Sequence, residues 1–103
     1  MRRTIGRDRS RGLEIESLPY EIAVYVNNQV LIPARLVKKL GIGEYWHAVI
    51  TIEYRGRTET FKARLLRTRN TLSRQFTIPK EVRSKLGIEA GSVIRVLKIE
   101  PVD

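Results

Sequence analysis

The sequence predicts a mainly β protein with short helices, in which two internal β-β-α-β repeats combine their strands into one small barrel. Three observations predict it. A fourteen-residue stretch occurs twice, as QVLIPARLVKKLGI from Gln29 to Ile42 and as QFTIPKEVRSKLGI from Gln75 to Ile88, with seven positions identical. Apolar residues alternate with polar ones on either side of each copy, which is the period of a strand. And 103 residues make one domain, in which neither repeat is long enough to bury a core by itself.

Each copy reads as a strand running into a very short helix. Val30 to Ile32 and Phe76 to Ile78 are β-prone. Pro33 and Pro79 are expected at the first helical position, where a missing N–H costs nothing and the fixed φ suits the helix. Leu36 and Leu40 share one helix face, as do Val82 and Leu86. Gly41 and Gly87 follow where a left-handed residue ends a helix. A helix of about two turns is unstable alone, so it must pack on a sheet.

The other elements follow in order. Glu21 to Val26 alternates, with Ile22, Val24 and Val26 on one face, and Asn27-Asn28 predicts a tight hairpin into the first repeat stretch. Ala34 to Leu40 is the first helix and Gly41 to Glu44 a loop. Ala48, Ile50, Ile52 and Tyr54 form the apolar face of the next strand, and Arg55-Gly56 is a turn. Thr58 to Leu66 reads as one strand and Arg67 to Thr71 as a longer hairpin loop. Glu89 to Ser92 leads into a last strand, Val93 to Ile99. Upstream, Leu13 to Glu16 permits a short edge strand that Ser17-Leu18-Pro19 breaks. The expected divisions are a flexible basic arm over 1–19, a first repeat over 20–57 and a second over 58–103, with 20–103 sharing one barrel.

Charge narrows the function. There is no cysteine, no apolar run of the roughly 18 residues that suggest a membrane span, and no apolar stretch behind the N-terminal arginines to make a secretory signal. A cytoplasmic protein without membrane contact fits. The net charge is +9, and it is clustered. Residues 1–12 carry five arginines against one aspartate, and residues 55–85 carry ten basic side chains against two acidic ones. Such clustering is the electrostatic footprint of a nucleic-acid binder, and arginine suits phosphate. The competing reading is a solvated face that serves solubility.

At this point the residues resemble a family. Phe76-Thr77-Ile78-Pro79-Lys80-Glu81-Val82-Arg83, then Leu86-Gly87-Ile88 and Gly91-Ser92-Val93-Ile94-Arg95-Val96, are similar to the signature of the AbrB/SpoVT/MazE-type swapped-hairpin domain. The first copy, Val30 to Pro33 through Leu40-Gly41-Ile42, is a more diverged match, and the two cover about residues 20–100. The resemblance implies a swapped-hairpin, double-psi-like β-barrel that interlocking copies close. Here one chain carries both halves, as a monomeric pseudo-dimer or as part of a homodimer. It also implies a DNA-binding protein, such as a small transcriptional regulator, with hairpin and helix cations on the DNA. By that correspondence the hairpin arginines are Arg67, Arg69 and Arg74. The helix cations are Arg83 in the second copy and Lys38 in the first, with Lys80 and Lys85 in support. Replacing Arg69, Arg74 and Arg83 by alanine is expected to cut affinity and to leave the melting temperature nearly unchanged. The first copy departs from the pattern: its hairpin, Val26 to Gln29, has no arginine, and Tyr45-Trp46-His47 stands where the second copy has Gly-Ser. The second copy and the arm, with Arg2, Arg3, Arg7, Arg9 and Arg11, are therefore expected to dominate binding.

Tyr45 and Trp46 either stack on unpaired bases or plug the barrel and line an interface. His47 has no second His and no Cys to share a metal with, and no catalytic constellation or phosphate-binding glycine loop is present, so neither an enzyme nor a cofactor or metal is expected. Two other functions stay open. A basic arm on a small barrel suits an RNA-binding, ribosome-associated protein equally. An antitoxin-type partner protein ranks lower, since such proteins carry an extended tail and this sequence stops at Asp103.

Overall fold

A computed structural model describes residues 15–102. The five arginines of the expected arm, Arg2, Arg3, Arg7, Arg9 and Arg11, lie outside the described residues.

The repeated stretch folds the same way twice. Helix α1 is Ala34–Leu40 and α2 is Lys80–Leu86. Each proline stands just before its helix, one residue earlier than expected, with φ −61° and ψ 151° at Pro33 and φ −58° and ψ 148° at Pro79. Its ring fixes a φ that both strand and helix accept, while the extended ψ ends the strand. Its carbonyl then accepts the first helical bond, from Val37 N–H at 3.0 Å and from Arg83 N–H at 3.0 Å. At the other end Gly41 and Gly87 adopt φ 67° and 76°. That left-handed step lets Ile42 N–H reach back to Val37 O, and Ile88 N–H to Arg83 O. Leu36 and Val37 of α1 and Val82 and Leu86 of α2 are buried.

Among the described residues seven strands carry these helices: β1 (Tyr20–Ala23), β2 (Gln29–Ile32), β3 (His47–Tyr54), β4 (Arg57–Arg64), β5 (Leu66–Arg67), β6 (Arg74–Thr77) and β7 (Val93–Val102). They form a four-stranded sheet in the order β1-β7-β3-β4 and a three-stranded sheet in the order β2-β6-β5. The strands thus divide between two sheets and do not close one hydrogen-bonded barrel. Every pairing is antiparallel, and pairings cross between the repeats: β1 on β7, β3 on β7 and β2 on β6. In the last pair Val30 stands opposite Phe76, its own counterpart in the other copy. Exchanging the copies leaves the order of the larger sheet unchanged, as a local two-fold relation requires.

Alternation along these strands fills one core. Ile22, Val30, Ile32, Ile50, Ile52, Phe76, Ile78, Ile94 and Val96 are all buried in it, and Phe61 sets its ring 6.0 Å from that of Phe76. Strand β7 slips register at Leu97, where Thr51 pairs with Lys98 but Ile52 with Val96. The bulge absorbs one residue, so that both Val96 and Ile99 face inward.

Several elements differ from the sequence reading for local reasons. The strand expected over 58–66 breaks at Leu65, where the chain leaves the larger sheet for the smaller one. Val26 is 90% exposed, because it sits at the tip of a turn and not on the inner face with Ile22 and Val24. Ile15 and Glu16 are not in a strand. Ile15 and Leu18 pack against the core and Glu16 pairs with Arg35 at 3.1 Å, which anchors residues 15–19 of the expected arm. Arg55 and Gly56 both take positive φ, 54° and 80°, the conformation of a two-residue hairpin turn. No helix among the described residues is long and apolar enough to cross a membrane.

Candidate nucleic-acid interface

Each hairpin leans on the helix-to-strand loop of the other repeat. Leu65 N–H donates to Trp46 O at 2.7 Å, and Val24 N–H donates to Ser92 O at 2.8 Å, the corresponding bond of the other half. The tips then diverge. The first is a short turn, closed by Asn28 N–H to Tyr25 O at 2.9 Å with Asn28 at φ 64°. The second is longer, over 68–73. It is held by the hydroxyls of Thr68, Thr71 and Ser73, which lie 2.6–2.8 Å from one another, and it turns at Asn70 with φ 63°.

Arg74 is not a surface contact. It is 3% exposed. Its Nη1 donates to Leu72 O at 2.6 Å and Ser73 O at 3.0 Å, and its Nη2 to Gly43 O at 2.7 Å, while Nε is buried without a partner. Burial, and then the charge of Arg67, push its pKa below the usual arginine value, although a guanidinium remains charged at neutral pH. Its acceptors are carbonyls and none is a carboxylate. Arg74 therefore braces the second hairpin against the first repeat and leaves a positive charge uncompensated there. The expectation that its removal would spare the melting temperature does not survive this geometry.

The remaining expected contacts lie at the surface to differing degrees. Arg69 and Lys80 are exposed. Arg83 is half-buried, with Nε donating to Ile78 O at 3.0 Å. Lys85 faces Glu59 of β4 at 3.6 Å. Lys38, on the other helix, lines a shallow hollow with Glu16, Arg35 and Lys39.

Tyr45 and Trp46 do not plug the core; they are 39% and 48% exposed. The guanidinium carbon of Arg67 lies over the Trp46 ring, 4.4 Å from its centroid, and Arg67 Nη1 donates to Gly43 O at 3.5 Å. The structure thus joins Trp46 of one repeat to the hairpin arginine of the other. Sequence reasoning counted Lys62 and Arg64 among the basic side chains of 55–85 without naming either as an individual contact; both are exposed on β4, with Arg64 opposite His47. Their alternation with Phe61, Ala63 and Leu65 was the available signal. Arg55, Arg57, Lys62, Arg64, Arg67, Arg69 and Lys80 are all exposed, and among the described residues none has a carboxylate within ion-pair distance.

No family model matches the chain, and no curated protein does. Among solved structures the chain is similar to the solution structure of PHS018 from Pyrococcus horikoshii. The likeness has 26% identity and a TM-score of 0.60, and covers 82% of this chain and 94% of that one.

Proposed function

We propose that the protein is a small cytoplasmic DNA-binding regulator of the swapped-hairpin type, which grips duplex DNA through exposed cations of its second repeat and its basic N-terminal segment. The observation that carries this reading is the run of exposed cations between Arg55 and Lys80 that have no carboxylate partner among the described residues. Uncompensated charge concentrated in one segment attracts a polyanion. The cross-paired repeats support the fold side of the proposal, a swapped-hairpin arrangement in which one chain carries both halves as a pseudo-dimer.

Salt dependence tests it. About five phosphate contacts would make affinity fall by between two and three orders of magnitude from 50 to 200 mM salt. Fluorescence anisotropy with a labelled duplex should show that slope. Arg69→Ala or Lys80→Ala should each flatten it by about one contact. Absence of duplex binding at low salt, or a flat salt profile, would sink the proposal. A second reading, structured RNA, is favoured by the unequal hairpin tips, since an irregular ligand needs no symmetric grip. Competition of the labelled duplex by ribosomal RNA separates the two.

A further inference from the structure

We infer that Tyr45, Trp46 and Arg67, with Arg74 behind them, form a subsite for one unpaired nucleotide of a single-stranded nucleic acid; the inference rests on the nucleic-acid reading above. The other half of the molecule is an internal control. There, Gly91 and Ser92 occupy the positions of Tyr45 and Trp46. Ser92 O accepts the same backbone bond from Val24 that Trp46 O accepts from Leu65. The loop thus closes without aromatic side chains, and the fold does not call for the pair on one side.

The arrangement suits a nucleotide in two respects. Tyr45 and Trp46 stay partly exposed even with the Arg67 guanidinium over one face of the indole, and an exposed aromatic at a cationic surface is a platform for a base. Stacking on Trp46 holds Arg67 in one orientation, and it donates one long bond, to Gly43 O at 3.5 Å, so most of its five donors are free for phosphate. Beneath it the buried charge of Arg74 has no carboxylate partner, and an anion above Arg67 would complete that balance. Duplex bases are already stacked on one another and cannot use the platform. Stacking is tolerant of base identity, so the ligand is an unpaired segment with no required sequence.

Trp46 is the only tryptophan, so its emission reports on this site directly. The full chain is titrated with a short oligothymidylate and, separately, with a mixed-sequence duplex. Anisotropy then measures both labelled ligands on Trp46→Ala and Trp46→Phe. The expected results are quenching by the single strand, about tenfold weaker single-strand binding for Trp46→Ala, most of it retained in Trp46→Phe, and duplex affinity within about twofold throughout. Duplex binding without quenching, and single-strand affinity unaffected by Trp46→Ala, overturns the subsite and leaves the DNA reading standing. Quenching by the single strand without duplex binding sustains the subsite and removes the duplex regulator. Binding of neither overturns both.

Discussion

Replacing Arg74 by alanine separates a structural arginine from a binding one. Its guanidinium spans the second hairpin and the first repeat's loop, through bonds of 2.6 Å to Leu72 O and 2.7 Å to Gly43 O, with a third of 3.0 Å to Ser73 O. A hydrogen bond to a charged group contributes about 1.5–3 kcal/mol. Two short ones set an upper range of roughly 3–6 kcal/mol, from which the desolvation of a charge with no carboxylate partner must be subtracted. Leu72 is exposed and Ser73 O keeps the Thr68 hydroxyl as a donor, so the freed acceptors are partly satisfied and the net loss should be about 2–3 kcal/mol. For a domain of this size that lowers the melting temperature by roughly 10–20 °C. Circular dichroism melts would read it, beside Arg69→Ala, which should shift the melt by less than about 3 °C. Arg74→Lys should fail almost as badly as alanine, because one ammonium on a thin stem cannot span three carbonyls. A melting temperature for Arg74→Ala within about 2 °C of wild type would refute the bracing role.

Two further substitutions probe the frame. Gly87 has φ +76°, and a Cβ built there meets nothing within 4 Å, so Gly87→Val should destabilise by about 1–2 kcal/mol through backbone strain alone. Urea denaturation should show Gly87→Asn less affected, and equal stability for all three proteins would mean that the left-handed cap is dispensable. Tyr20 donates its hydroxyl to Leu31 O at 2.8 Å, and burial pushes its pKa well above the ordinary value of 10.0. The folded state thus keeps a proton that the unfolded chain loses, so this group's stability is complete below pH 10 and declines as pH rises toward the raised value. Tyr20→Phe should lower stability by about 1 kcal/mol at neutral pH yet lose less of it above pH 10 than wild type does; parallel pH profiles would contradict the assignment.

The repeats and their helix ends were legible because their causes are local. Proline fixes φ and glycine permits φ > 0 whatever surrounds them, so Pro33, Gly41, Pro79 and Gly87 declare the same motif twice. Strand partners were not legible, since period two assigns faces but not neighbours. The role of Arg74 was legible in part and was masked by composition. It stands two residues before Phe76 and four before Ile78, so strand alternation places it on the inner face with them. Arg69, five residues earlier, sits in the hairpin loop, where no such period applies. Trp46 could not be placed from sequence, because its neighbour Arg67 comes from the other repeat.

Carrying both repeats in one chain frees the two tips from having to match. In a dimer of identical single-repeat chains every tip residue is duplicated by symmetry. Here the backbone keeps the two-fold relation, as Val30 opposite Phe76 and the paired bonds at Leu65 and Val24 demonstrate, while the side chains do not. One tip presents Tyr25 and Val26; the other presents Arg69 and, over the Trp46 ring, Arg67. Two-fold proteins match palindromic sites because each half reads the same sequence. If the proposed grip holds, a ligand would meet one cationic tip and one uncharged tip, would bind in a single orientation, and would gain nothing from a palindrome.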